Sequence, residues 1–197
     1  KVLTQAWGLT ETSPAACINI PNVDFNGSIG LPISSTDISI RDDAGAELGI
    51  DQVGEICVRG PQVMVGYWNR PDETAKVMLA DGWLKTGDIG RIDAQGYVYI
   101  EDRKKDMIIS GGFNVYPREV EDVLFTHPGV RQAAVLGVPH ERWGEEVKAL
   151  VVRQPGSEVT ETELIAFVKH NKGSVVAPKS VEFVDAMPRT ATGKLQR

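Results

Sequence analysis

The tail PRTATGKLQR places a lysine, Lys194, after Thr, Ala, Thr and Gly, with no apolar periodicity to bury it. An ammonium on a flexible stem can balance phosphate or carboxylate charge. The segment fails as a Walker-type phosphate loop: Leu195 stands where a hydroxyl should bind Mg²⁺, and no Gly lies five residues before Gly193. Taken alone, Lys194 reads as a solvated terminal lysine. Three further segments hold polar groups beside glycines: WGLTETSP from Trp7, GWLKTGD over 82–88 and DRKKDMIISGGFNVYPREVE over 102–121. Thr10 and Glu11 set a hydroxyl beside a carboxylate that suits a hard cation, and would serve equally as a helix-start or loop pair. Asp88 after Gly87 is a charged hydrogen-bond acceptor or a turn residue. Arg103 could pair with Asp102, and the run Arg103-Lys104-Lys105 by itself reads as a solvated face. Gly111 and Gly112 permit backbone conformations closed to other residues, which suits a tight turn or close approach by a ligand.

The elements that must carry these residues change character along the chain. Up to about Glu101, short strands separated by Gly, Pro and Asp turns are expected: DISIRDDAG, GEICVRG, DIGRIDAQG and GYVYIED. Consecutive apolar and aromatic residues in GYVYIED suggest a strand covered on both faces. A helix from Pro71 to about Leu79 interrupts the strands, with Pro in its first turn and Asp72 and Glu73 near its positive end. Such a pattern fits a small β-barrel or bent sheet. After Arg103, strands and helices alternate. Pro117 opens a helix with Val120, Val123 and Leu124 on one face, ending before His127-Pro128-Gly129. VRQAAVLGV and VKALVVR are strands separated by the turn-rich PHERWGEE, and a helix begins at a capping box of Thr160 and Glu163, with Leu164, Phe167 and Val168 inward. A strand near Val181 to Val184 completes an α+β unit.

The 197 residues carry 27 acidic and 21 basic side chains, a net charge of −6, which argues against a nucleic-acid-binding surface. The charge is uneven: residues 1–102 hold 7 basic and 15 acidic side chains, residues 103–197 hold 14 and 12. That shift marks a boundary near Asp102 and Arg103. No stretch approaches the roughly 18 apolar residues of a membrane-spanning helix; peripheral association stays open. Cys17 and Cys57 are too few for a disulfide framework or a metal knuckle and suit buried, reduced thiols in a cytoplasmic protein. His127, His140 and His170 have no Ser or Cys partner at motif spacing and read as structural or surface residues.

In this order, and followed by PRTATGKLQR, the segments WGLTETSP, GWLKTGD and DRKKDMIISGGFNVYPREVE closely resemble the adenylate-forming superfamily, most closely its fatty and aryl acyl-CoA synthetases. The resemblance spans the whole chain. It implies an α+β chain in which residues 1–102 are the β-rich C-terminal part of the AMP-binding domain. Residues 103–197 would then be the small C-terminal lid domain with the catalytic lysine. It further implies an enzyme that activates a carboxylic acid, fatty or aryl, with ATP and Mg²⁺ and passes it to coenzyme A. In that reading the ring of Trp7 lies against adenine, where the family motif has Tyr, and Gly8 allows close approach. Thr10 contacts the α-phosphate, Glu11 helps to hold Mg²⁺, and Asp88 and Arg103 bind the ribose region. Lys105 is the hinge between two half-reactions. Gly111, Gly112 and Phe113 lie beside the pantetheine of coenzyme A, and Lys194 bridges carboxylate and α-phosphate. In some relatives a Lys occupies the position of Ile109, so the charge there differs. The family's Ser/Thr/Gly-rich phosphate loop does not occur in the sequence, the chain begins without Met, and it stops three residues after Lys194. A fragment inactive on its own is therefore expected. Two alternatives are an adenylation domain that loads a carrier protein and a non-catalytic lid or interaction module of a degenerate relative. DRKKDMIISGGFNVYP looks more like the CoA ligases.

Overall fold

A computed structural model describes residues 4–21 and 24–188. The chain divides into two compact units, the first ending at Lys104 and the second starting at Lys105. The first holds two antiparallel sheets. A small one runs in the order β1 (Ala6–Trp7), β2 (Cys17–Ile18), β3 (Leu31–Pro32). The larger runs β4 (Asp37–Arg41), β5 (Gly54–Arg59), β6 (Leu84–Ile92), β7 (Val98–Arg103), each strand beside its sequence neighbour. Cys17, Ile29, Ile40, Ile56 and Val98 form a buried cluster, against which Trp7, Ile38, Leu48, Ile92 and Ile100 pack. Each aliphatic side chain taken out of water here contributes about 1.5–3 kcal/mol. The strand expected to be covered on both faces is β7, which is only half covered. It lies at the sheet edge, where Val98 and Asp102 are buried but Tyr99, Ile100 and Glu101 stay partly exposed.

Helix α1 (Pro71–Val77) starts on its proline, as expected. It stops two residues before Leu79, because Met78 turns extended and bridges to Leu84. No residue of α1 is buried, so it contributes little to the core.

The second unit is a five-stranded sheet with two helices. Its elements are β8 (Ile108–Ser110), β9 (Phe113–Val115), α2 (Pro117–Phe125), β10 (Val130–His140), β11 (Gly144–Arg153), α3 (Glu161–Lys172) and β12 (Ser180–Phe183). The long hairpin β10–β11 forms the backbone of the sheet; β8 and β12 both pair with β11, β12 in parallel, and β9 lies outside β8. Strand pairing runs further into PHERWGEE than expected. Val138, Pro139 and His140 continue the ladder opposite Glu146, Glu145 and Gly144, leaving only 141–143 as the turn. Val120, Leu124, Leu164 and Val168 are fully buried with Ile108, Val135, Val147 and Val151 beneath α2 and α3, which is the face the i, i+3, i+4 spacing selects. At the start of α3, Thr160 accepts a hydrogen bond from the Glu163 N–H at 3.3 Å. The Glu163 carboxylate lies 3.6 Å from His127 Nε2, and of the expected capping box the Thr160 half forms.

Candidate functional site

In the first unit, three separated stretches of sequence converge on one carboxylate. Antiparallel pairing sets Asp88 on β6 opposite Arg103 on β7, and cross-strand neighbours on one face lie within reach of one another. Arg103 Nε sits 3.7 Å from Asp88 Oδ1. From the N-terminal sheet, the Trp7 indole N–H donates to Asp88 Oδ2 at 3.0 Å. The Asp88 side chain is 13% exposed, and burial pushes its carboxyl above the usual range, while the Trp7 N–H and the Arg103 guanidinium pull the other way. Arg103 therefore faces Asp88 through its side chain and meets Asp102 through its backbone N–H, which donates to Asp102 Oδ1 at 2.7 Å.

The backbone around Asp88 departs from regular pairing. The β5–β6 register slips between Glu55 and Cys57, which pair with Ile89 and Lys85, so Thr86, Gly87 and Asp88 bow out as a bulge. Gly87 takes φ +73 there, a value glycine adopts without steric cost. The Thr86 hydroxyl ties the bulge down, donating to the Ile56 carbonyl at 2.7 Å and accepting the Asp88 N–H at 3.1 Å.

Thr10, Glu11 and Thr12 form a single 3-10 turn after Trp7. Thr10 is exposed, and Thr12 exchanges hydrogen bonds with the backbone of Leu9 at 2.9 and 3.0 Å. The close approach at Gly8 is to protein backbone: a Cβ there would run into the Pro14 carbonyl. The Tyr67 hydroxyl donates to Glu11 Oε1 at 2.8 Å, which pushes the phenol above its ordinary range. Glu11 is held by this bond and by its own carbonyl, which accepts the Met64 N–H at 2.9 Å. Among the described residues no group of three His, Cys, Asp or Glu is gathered to hold a metal. A single oriented carboxylate fits Mg²⁺ nonetheless, since that ion keeps most of its ligands as water and phosphate oxygens. Glu11, Tyr67, Lys76, Lys85, Thr86 and Lys104 line a cavity of about 230 Å³.

In the second unit, Gly111 and Gly112 are the two central residues of the β8–β9 hairpin, with φ +59 and +84. Two positive φ values are what a tight primed turn demands. The hairpin is pinned from the start of β11 and the turn before it: the Gly111 N–H donates to the Trp143 carbonyl at 2.9 Å and the Ile109 N–H to Glu145 Oε2 at 2.8 Å. Phe113 and Ile109 are exposed on this hairpin, and Trp143 is 42% exposed. Lys105 is exposed at the start of the unit. Lys194 lies outside the described residues.

Sequence reasoning misses four contributors: Glu55, Tyr67, Lys104 and Trp143. Glu55 had one visible signal, a carboxylate heading the apolar run Ile56-Cys57-Val58; the Tyr67 contact spans 56 positions and had none. Burial holds the Cys17 thiol up at about 12 and the Cys57 thiol at about 11, so neither is a nucleophile.

Comparison with known proteins adds to this geometry. The profile of the AMP-binding enzyme family matches residues 1–68, and that of the AMP-binding enzyme C-terminal domain matches residues 119–194. A long-chain-fatty-acid–CoA ligase of Escherichia coli O157:H7 is 47% identical over 196 residues, 99% of this chain and 35% of the ligase. A feruloyl-CoA synthase of an Amycolatopsis species is 45% identical over 193 residues, 97% of this chain and 39% of that protein. The crystal structure of ATP-bound MatB from Rhodopseudomonas palustris superposes with a TM-score of 0.92 at 39% identity, covering 98% of this chain and 39% of MatB. The chain thus spans little more than a third of the length of these relatives.

Proposed function

The chain belongs to the AMP-binding, adenylate-forming enzymes, and we propose that it acts as the C-terminal portion of an acid–CoA ligase for fatty or aryl acids. The observation that carries this reading is the convergence of Trp7 and Arg103 on the partly buried carboxylate of Asp88. That carboxylate offers a charged acceptor to a pair of sugar hydroxyls. The names of the relatives, fatty-acid and feruloyl ligases, support the acid class.

In the first half-reaction a substrate carboxylate oxygen attacks the α-phosphorus of ATP. The bond to the bridging oxygen breaks and pyrophosphate leaves with its electron pair. In the second, the coenzyme A sulfur attacks the acyl carbon, its proton goes to solvent or a nearby base, and AMP leaves. Positioning and charge stabilisation dominate such phosphoryl chemistry. Trp7 would contact adenine while its N–H orients Asp88, and Asp88 and Arg103 would bind the ribose. Thr10 would donate to an α-phosphate oxygen. Glu11, oriented by Tyr67, would hold Mg²⁺, which supplies charge neutralisation on the phosphates. Lys194 would bridge carboxylate and phosphate during adenylation. The hairpin Gly111-Gly112-Phe113 would accept pantetheine after rotation at Lys105. The AMP-binding domain would then end at Lys104 and the lid begin at Lys105, two residues past the boundary expected between 102 and 103, in a cytoplasmic enzyme. Alone, the chain is expected to form no acyl-adenylate, because it contains no Ser/Thr/Gly-rich phosphate loop.

The test is to supply a ligase of the relatives' length, carrying this chain, with fatty and aryl acids, Mg-ATP and either free coenzyme A or a phosphopantetheinyl carrier protein. Acyl-CoA with stoichiometric AMP is expected. Acylation of the carrier alone would move the chain to the carrier-loading enzymes, and no adenylation at all would favour a non-catalytic lid.

A further inference from the structure

Glu55 is a carboxylate where an aliphatic residue would cost less. It is the second residue of β5, immediately before Ile56, Cys57 and Val58, and its side chain is 5% exposed. Burying a charge is unfavourable by several kcal/mol unless it is paired and hydrogen-bonded. Glu55 is both. One oxygen, Oε1, accepts the Gly87 N–H at 3.1 Å. The other, Oε2, accepts from Lys104 Nζ at 3.1 Å and lies 3.7 Å from Lys85 Nζ. Lys104 is fixed a second time through Asp43, whose Oδ1 is 2.6 Å from the ammonium.

These contacts fall at a particular place. Gly87 sits at the centre of the bulge that presents Asp88, and the register slip there takes its N–H out of the β5 ladder. Glu55 supplies the acceptor the ladder withdraws. A partly buried N–H left without an acceptor is unfavourable, so without Glu55 the bulge would relax toward regular pairing and Asp88 would turn with it. Lys104, on the other oxygen, is the last residue of the first unit.

We propose that Glu55 is a positioning residue for the nucleotide ribose: it locks the bulge that carries Asp88 and ties that bulge to Lys104, the residue before the pivot at Lys105. The proposal rests on the reading of Asp88 as the ribose acceptor.

The experiment measures adenylation, as pyrophosphate release, by the full-length ligase with ATP and with 3′-deoxy-ATP. Wild type, Glu55→Ala, Glu55→Gln and, as a reference, Asp88→Ala are compared. The wild-type enzyme should prefer ATP in kcat/KM by about tenfold or more, the worth of one hydrogen bond to a charged acceptor. Glu55→Ala should shrink that preference below about threefold, with a higher KM for ATP and a KM for the acid within about twofold of wild type. A merely structural role would lower the active fraction and leave the ATP preference intact. Glu55→Gln keeps an acceptor for Gly87 but turns an amide toward two lysines, and should fall between the two; it carries the test if Glu55→Ala does not fold. An unchanged preference in whichever variant folds overturns the proposal. A wild-type enzyme indifferent to the 3′-hydroxyl would overturn the ribose reading itself, and the proposal with it.

Discussion

Replacing Trp7 by Phe keeps an aromatic ring where the proposed function sets the nucleotide and removes the indole N–H at 3.0 Å from Asp88 Oδ2. Hydrogen bonds to charged groups are worth about 1.5–3 kcal/mol. Asp88 retains Arg103, at 3.7 Å and on a side chain 59% exposed, so the lower end applies and ATP binding should weaken about tenfold. Because ribose is held alike before and during phosphoryl transfer, the loss should appear as a higher KM for ATP with kcat nearly unchanged. The pH profile gives a second, independent readout. Burial raises the Asp88 carboxyl and the Trp7 N–H opposes that rise; without the N–H, the carboxyl takes up its proton at higher pH. Only the ionised form accepts from both hydroxyls, so the acid limb of kcat/KM for ATP should move to higher pH in Trp7→Phe. Initial rates of pyrophosphate release by the full-length ligase, over a range of ATP and pH, measure both. A KM within twofold of wild type together with an unmoved acid limb would refute the link between Trp7, Asp88 and nucleotide binding.

Asp88 also links function to stability. Its folded pKa is raised, so the folded state binds the proton more tightly than the unfolded chain, and stability falls as pH climbs from the ordinary aspartate range through the raised value. Above that window the ionised carboxylate is a cost that Asp88→Asn should remove: thermal melts should show a more stable variant near pH 7 and a shrinking gain toward acid, with ATP-dependent activity lost. A gain that persists unchanged into acid would contradict the assignment of cause. Gly111→Ala places a Cβ at φ +59 and 3.0 Å from the Trp143 ring, a strain of about 1–2 kcal/mol. Thioester formation should slow about tenfold and adenylation by less than about twofold; equal slowing of both half-reactions would remove the hairpin from the coenzyme A step.

The elements were legible where periodicity is local. The α2 face of Val120 and Leu124, the Thr160 cap and the strand segments of the first unit's larger sheet follow from spacing over a few residues, whereas the order of those strands does not. The β8–β9 strands did not stand out because each is three residues long, and the extension of β10 and β11 past Val138 depends on their mutual pairing. At the site, Asp88, Trp7 and Arg103 were each singled out by motif, but their contact was not: Trp7 is 81 positions from Asp88, and a sequence that places the two on different strands does not reveal that an indole N–H reaches the carboxylate. Glu55 shows the same limit from the other side. Its position in an apolar strand was visible, and the two donors, Gly87 N–H and Lys104, and the neighbouring Lys85 ammonium that justify a buried charge there come from two other stretches of chain.

If one chain serves two half-reactions with different parts, Lys194 should separate them. In the full-length ligase, Lys194→Ala should lower the rate of acyl-adenylate formation from acid and Mg-ATP by about a hundredfold or more. Thioester formation from supplied acyl-adenylate and coenzyme A should stay within about threefold of wild type, because the rotation proposed at Lys105 would withdraw Lys194 before that step and leave other groups to meet the charge AMP gains as it departs. Equal losses in the two half-reactions, or none in adenylation, would contradict the account.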